Sequence, residues 1–517
     1  MAMLDETLLY QKPVPVPPPD EYFRLVHFDL KGAPPKMEFL KELFPKLSEW
    51  GCNGLLMEYE DMFPYDGKLE FVKSPDAYSM SDIETLQQLA KEYGMEYIPL
   101  IQTFGHFEFV LKHDDWSDVR ELSNMPTSVC PSNPDSVQRV VEVVDQVFAL
   151  HTDLKFFHIG ADEVFHLGLC AKCRARQDSG LDKSELFLTH VSRVLKYLKN
   201  KYPSVTFIMW DDMLRTVSVE QMKAHNLGEM VDPMVWNYSA QDANFRSRFT
   251  DDMWSNYAAV FSNVWAASSF KGAFGPTLYW VPNHLHLQNH ILWLNEVNLL
   301  VPKTLKMRGY ALTGWQRYDH FSVLCELLPI GIPCLALALS ILMKGAFSHE
   351  LHAEVSKQLG FSKPLDLAII MVSGPESNPT SATHAIFPGS EVFRCIQNLA
   401  IYETCQEIRS LIATPKETVL EEEQSTKSDA EKRAELEAKV NRLRSKLQTL
   451  HDKFWECMSK MYFNRTIEEW IKLRLDPLQS LLDKSLQSSI AGAAEETSKE
   501  DKEDQMVLDQ PGIDDIS

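Results

Sequence analysis

Between residues 23 and 316 of this 517-residue chain, short β-branched or aromatic runs alternate with longer stretches of helical periodicity, and that alternation restricts the fold more than any other feature. The runs are Phe23–Leu30, Gly54–Glu60, Glu96–Thr103, Phe156–Asp162, Thr206–Asp212, Met230–Tyr238, Ala259–Ala266 and Gly309–Gln316. Helical segments such as Met37–Trp50, Asp82–Tyr93, Leu186–Lys201 and Tyr279–Leu300 separate them. Strands joined through helices make right-handed crossovers and pair in parallel. Eight such units favour closure, so the expected fold is α/β, a (β/α)8 TIM barrel over residues 22–345.

The flanks read differently. Residues 1–21 are a Pro-rich arm expected to be extended. Residues 346–485 form a helical C-terminal region, in which Glu417–Ser428 is an acidic linker or solvated helix. A helix over 429–460 carries Leu436, Val440, Leu443, Leu447, Leu450, Phe454 and Cys457 at heptad spacing. That seam suits either packing on the chain's own barrel or a homodimer contact. Residues 486–517, acidic and poor in aromatics, are expected to be disordered.

Charge and cysteine content narrow the partners. A net charge of −22 without a dense basic cluster argues against nucleic acid. The apolar run Leu327–Met343 is barely long enough to cross a bilayer. It contains Pro329 and Pro333 and falls within the strand–helix repeat, so it is expected to be a buried barrel helix, with no membrane role. Met1–Tyr22 lacks a basic segment followed by an apolar one, so no secretory signal is expected. Nine scattered cysteines fit a reducing compartment. The expected location is therefore cytoplasm and nucleus, with the sequons at Asn237 and Asn464 as chance matches.

Several runs begin apolar and end in residues suited to chemistry, as barrel strands do where their C-terminal ends and loops build a site. Asp29, Glu58, Glu60, His106, Trp210, Trp236, Trp265 and Trp315 all fall at such places. One tryptophan at a strand end is ordinary core; four at corresponding ends would line a pocket for a flat, polar-edged ligand such as a sugar ring. The most informative run is Phe156-Phe157-His158-Ile159-Gly160-Ala161-Asp162-Glu163. Neighbours on a regular strand face opposite sides, so both carboxylates enter the barrel only if the chain bends there. Held together, they raise one another's pKa, which keeps one protonated as an acid. Taken as a dipeptide alone, Asp-Glu is equally a solvated pair at a helix start.

The hexapeptide His158–Glu163 on the fourth strand resembles the signature of the family 20 glycoside hydrolases, the β-N-acetylhexosaminidases. Gly105-His106, Trp210-Asp211, Val264-Trp265-Ala266 and the run Thr313–His320 extend the resemblance, which covers roughly residues 22–345. In that family the substrate supplies its own nucleophile. The resemblance implies that Glu163 is the general acid and base, and that Asp162 orients and stabilises the 2-acetamido group as an oxazolinium intermediate forms. It implies exo-hydrolysis of terminal β-linked N-acetylgalactosamine and N-acetylglucosamine with retention, the former favoured, and no cofactor; the paired carboxylates themselves suggest a mildly acidic optimum. Sugar contacts are expected from Asp29, His106, Trp210, Trp236, Trp265, Trp315, Arg317 and Asp319. A tyrosine donating to the acetamide oxygen is either Tyr238 or Tyr279, and spacing does not choose. His158 is expected behind the pocket wall.

The chain also departs from the family. The first strand starts near residue 23, leaving no room for the small α/β domain that often precedes the barrel. Where members often carry Asp-x-x-Arg, this sequence has Asp29-Leu30-Lys31-Gly32. Two other readings compete: an O-linked N-acetylglucosaminidase-type hydrolase using Asp211-Asp212, and a non-catalytic scaffold acting through the heptad helix. Cys170-x-x-Cys173, with His166 nearby, is a single pair and reads as reduced surface thiols, with no metal expected.

Overall fold

A computed structural model describes residues 9–10, 12–18, 21–249, 252–367, 385–404, 428–485 and 487. The strands are β1 (Phe23–Asp29), β2 (Gly54–Glu58), β3 (Glu96–Leu100), β4 (Arg120–Leu122), β5 (Met125–Val129), β6 (Phe156–His158), β7 (Thr206–Trp210), β8 (Val231–Trp236), β9 (Asn263–Lys271) and β10 (Lys306–Gly314). Eight of them close into a barrel in the order β1-β10-β9-β8-β7-β6-β3-β2, with every pairing parallel. The remaining two, β4 and β5, form an antiparallel hairpin between β3 and β6 that the sequence reading did not foresee.

Inward positions recur every second residue, as strand geometry requires. Leu25, Leu56, Ile98, Phe156, Ile208, Met234, Trp265 and Ala311 fill the barrel interior. Stepping two residues toward the C-terminal ends, three of these faces turn polar or ionisable, with His27 after Leu25, Glu58 after Leu56 and His158 after Phe156, and two reach Trp210 and Trp236. The apolar layers hold the barrel; the mixed polar and aromatic layer above them is the floor of a site.

The seventh expected strand was placed too early. Ala259 and Val260 end a helix, Met253–Val260, that buries Met253, Trp254 and Tyr257, and the strand runs Asn263–Lys271 instead. A short apolar run carries no period by which to tell helix from strand. The apolar run near residue 330 is the helix Leu328–Lys344, buried along most of its length and closed by Gly345 in the left-handed conformation (φ 75°). Among the described residues no helix is long and apolar enough to cross a membrane.

The chain divides into two compact units, Met1–Ile396 with Ser459–Thr466, and Gln397–Met458 with Ile467–Ser517. Residues 12–18 of the Pro-rich arm form no regular element, and Val14 N donates to Gly345 O. In the second unit the long helix Asp429–Ser459 buries Val440, Leu443, Leu447, Phe454 and Cys457 of the heptad seam. Phe454 lies against Trp470 with ring centroids 4.7 Å apart. Those seam positions are therefore covered by the chain itself. The expected linker over 417–427 and the tail after 487 lie outside the described residues.

Candidate active site

A cavity of ≈ 350 Å³ opens at the C-terminal ends of the barrel strands, where this architecture places its chemistry. Asp162 and Glu163 sit on its wall just after β6. The bend that both carboxylates need is present: Gly160, Ala161 and Glu163 have φ of 63°, 68° and 47°. Left-handed backbone at non-glycine residues costs on the order of 1–3 kcal/mol each and persists only where surroundings enforce it. Glutamine does much of that enforcing. Gln102 Oε1 accepts from Ala161 N at 3.0 Å, and Gln102 Nε2 donates to Asp162 Oδ1 at 2.9 Å. A Cβ at Gly160 would meet Gln102 Oε1 at 1.9 Å, and one at Gly105 would meet Asp162 O at 2.1 Å. Both positions need glycine because the two loops touch.

The adjacent carboxylates lie at different depths. The Asp162 side chain is 9% exposed and that of Glu163 is 34% exposed. His106, itself left-handed (φ 48°), bridges them: Nε2 is 3.1 Å from Glu163 Oε2 and 3.8 Å from Asp162 Oδ2. Burial pushes Asp162 above the usual carboxylate range, against the opposing charge of His106 and with help from Glu163. Burial opposes charging of His106, but Asp162 and the hydrogen bond to Glu163 outweigh it and raise its pKa from 6.5 to about 10. An imidazole raised on folding stabilises the native state fully below 6.5 and loses that contribution as pH rises to about 10. The difference in unfolding free energy between wild type and His106→Gln is expected to shrink across that window in urea titrations. A difference that grew with pH would contradict this arrangement.

Behind Glu163 stands Asp212. Its Oδ2 accepts from Glu163 N at 2.9 Å and its Oδ1 from Trp236 Nε1 at 3.2 Å. Burial, followed by repulsion from Asp162, pushes it up to about 7. Asp211 faces elsewhere: it is fully buried, gripped by Arg215 through two contacts of 2.7 Å, and accepts from Tyr257 Oη at 3.0 Å. Neither aspartate lines the cavity, so Asp211-Asp212 does not form the adjacent pair that the competing hydrolase reading requires.

Aromatic walls complete the pocket. Trp210, Trp236, Tyr238 and Trp315 all line it. Tyr238 stacks on Trp236 at 5.3 Å and meets Trp315 edge-on at 6.5 Å. Arg317 and Asp319 lie on the rim after β10. Arg317 is held to backbone through Lys31 O and Ser322 O, and Asp319 Oδ1 accepts from Phe321 N and Ser322 N.

Three expected sugar contacts are not in the cavity wall. Asp29 is buried beneath it, accepting from Lys31 N at 3.0 Å and Gln316 N at 2.8 Å, so it ties β1 to the loop after β10. Trp265 is fully buried among Phe23 and Phe156, on an apolar layer of the interior. Tyr279 lies just before helix Asn283–Leu299 and does not line the cavity, so of the two expected tyrosines it is Tyr238 that does. His158 is fully buried behind the wall, lowered by burial to about 3, with its Nδ1 accepting from Gly160 N.

Residues that the sequence reading passed over are Gln102, Phe165 and Tyr318, all in the lining, and the depth of the acidic layer. Lys31 and Glu58 reach the cavity floor, where Lys31 Nζ is 2.8 Å from Glu60 Oε1 and 3.6 Å from both Glu58 Oε1 and Asp29 Oδ1. Their strand-end positions were visible; their mutual pairing was not. His106, Asp162 and Glu163 are also close enough together to hold a cation, although the same three groups suffice for proton transfer without one.

Comparison with known proteins agrees with this geometry. Residues 39–263 match the glycosyl hydrolase family 20 catalytic domain. Hexosaminidase D of Bos taurus is 44% identical over 341 residues, covering 66% of this chain and 97% of that protein. Hexosaminidase D of Homo sapiens is 41% identical over 381 residues, covering 73% of this chain and 75% of that one. A solved β-N-acetylhexosaminidase from Bacteroides fragilis aligns at 17% identity with a TM-score of 0.46, over 62% of this chain and 66% of that one. The match along the barrel and the identity to both hexosaminidases place this chain in glycosyl hydrolase family 20, as a glycoside hydrolase of the β-N-acetylhexosaminidase type.

Proposed function

We propose that the protein is a retaining exo-hydrolase of terminal β-linked N-acetylgalactosamine and N-acetylglucosamine, acting through the sugar's own acetamide. The observation that carries this reading is the depth order of the two carboxylates. Asp162 is sunk in the wall beside Gln102 and below His106, whereas Glu163 keeps a third of its side chain exposed. A deep carboxylate suits a group buried with the substrate, the acetamide N–H. An open one suits a residue that must meet first the leaving oxygen and then water.

In the first step Glu163 gives its proton to the glycosidic oxygen as the acetamide carbonyl attacks the anomeric carbon. Asp162 accepts from the acetamide N–H, orienting the carbonyl and stabilising the positive charge of the oxazolinium. In this reading Tyr238, in the cavity lining, donates to the acetamide oxygen, and Trp236 and Trp315 wall the methyl group. Glu163 then takes a proton from water, which opens the ring from the face the aglycone left. Two inversions give net retention. His106 and Asp212 position Glu163 from its side chain and its backbone. Arg317, Asp319 and Trp210 complete the sugar-binding wall.

The test is hydrolysis of aryl β-N-acetylgalactosaminide, β-N-acetylglucosaminide and β-galactoside, with the first-formed anomer followed by NMR. Both acetamido sugars should turn over and release the β-anomer, while the plain galactoside should not. An initial α-anomer, or equal turnover of the plain galactoside, would overturn the acetamide-assisted route.

A further inference from the structure

Twenty residues of loop and helix beyond β6 and the hairpin before it meet at a second cluster, apart from the sugar pocket. Cys170 and Cys173 do not form an exposed pair, as the sequence suggested: Cys173 is 0% exposed, and a third thiol, Cys130, lies beside them at 2%. Cys130 Sγ is 3.4 Å from Cys170 Sγ and 3.7 Å from Cys173 Sγ. The fourth member is Glu121, a carboxylate only 3% exposed, whose Oε2 is 3.3 Å from Cys173 Sγ. One ligand atom from each of the four lies within 4.8 Å of every other.

We propose that Cys130, Cys170, Cys173 and Glu121 form a structural zinc site. Four ligands around zinc at its usual bond lengths sit about 3.8 Å apart for two sulfurs and about 3.5 Å for a sulfur and an oxygen. The observed separations of 3.4, 3.7 and 3.3 Å fall close to those edges. The surrounding bonds also suit ligation. Glu121 Oε1 accepts from Leu169 N at 2.6 Å and Cys170 N at 2.9 Å, which fixes the carboxylate and leaves Oε2 turned to the sulfurs. Cys173 N donates to Cys170 Sγ at 3.3 Å, the kind of amide-to-sulfur bond that supports a thiolate. Three thiols and a buried carboxylate packed this closely repel one another as anions and cannot all ionise together unaided. A bound dication would release those protons and satisfy the whole set.

A disulfide explains less. It would use two of the sulfurs and leave the third thiol facing a buried carboxylate. Zinc joins three separate segments instead: Glu121 on β4, Cys130 just after β5, and the start of helix Ala171–Asp178. Two of these ends reach the sugar site. The segment ending at Cys170 carries Asp162 and Glu163, and Thr127 O in the hairpin accepts from Phe107 N, next to His106. The ion would clamp the loops that hold His106 against Glu163.

The full chain, purified in reducing buffer without chelators from zinc-supplemented cells, is expected to carry one zinc per chain by elemental analysis. Cys170→Ser and Cys173→Ser should each lose it. Because either variant could fail to fold, the wild-type protein is also stripped with a chelator and refilled with cobalt(II). An intense thiolate-to-cobalt charge-transfer band in the near ultraviolet is the expected result. Substoichiometric zinc with no such band would overturn the site, as would an intact mass short by two hydrogens with no metal bound, which identifies a disulfide.

Discussion

Glu163→Gln should lower kcat/KM toward an N-acetylhexosaminide by about 10²–10⁴-fold, the range that a positioned general acid and base contributes. Glutamine preserves the shape of the side chain and can still meet His106, so the fold should be unaffected; circular dichroism and Tm check this. Asp162→Asn should cost about 10²–10³-fold, the usual loss when one preorganised electrostatic partner is removed. The two losses should differ in kind. An aryl leaving group of low pKa needs little protonation, so Glu163→Gln should recover most of its first-step rate with such a substrate. Asp162→Asn should not, because its defect lies in holding the acetamide. If Glu163→Gln remained active while Asp211→Asn did not, the chemistry would belong to Asp211-Asp212, whose packing against Arg215 argues otherwise.

Much of this architecture could be read from the sequence because its causes are local. Eight short runs and the helices between them mark strands and crossovers, and closure follows from their number. The Asp-Glu step is legible for the same reason: two adjacent carboxylates at a strand end force a bend, and Gly160 supplies its start. What escaped depends on which chain segments meet. Trp265 and Trp210 both end apolar runs, yet Trp265 is filling for an inner layer and Trp210 reaches the pocket. Depth along a barrel strand depends on register with both neighbours, which no single run records. Gln102 looks like any polar residue after a strand until Gly160 is packed against it. The cysteine pair looked incomplete for the same reason, since Cys130 and Glu121 come from a hairpin dozens of residues upstream.

Lys31 stands beside Gly32, the position at which the resemblance would place an arginine, and its environment predicts a large effect on stability. Its ammonium is 4% exposed and sits among Glu60, Glu58 and Asp29. Although burial works against charge on Glu58, Lys31 and then His27 hold it below the usual carboxylate range. Burial keeps Glu60 well above that range, and repulsion from Glu58 adds to it despite Lys31. The lysine is therefore the cation that makes a negative charge at Glu58 tolerable. Replacing it with methionine keeps the aliphatic stem but removes the larger of the two supports of that charge, leaving His27 at 2.8 Å; breaking a buried pair costs roughly 3–5 kcal/mol. The pH dependence follows from Glu58. A carboxylate depressed on folding contributes stability above its unfolded pKa and loses it as pH falls through its folded value. In Lys31→Met that depression is smaller, so the deficit should be greatest near neutral pH and should shrink in acid. Urea denaturation of both proteins across that range measures it. A deficit that stayed constant from neutral to acid pH would mean that the stem, not the charge, is what the barrel floor needs from Lys31.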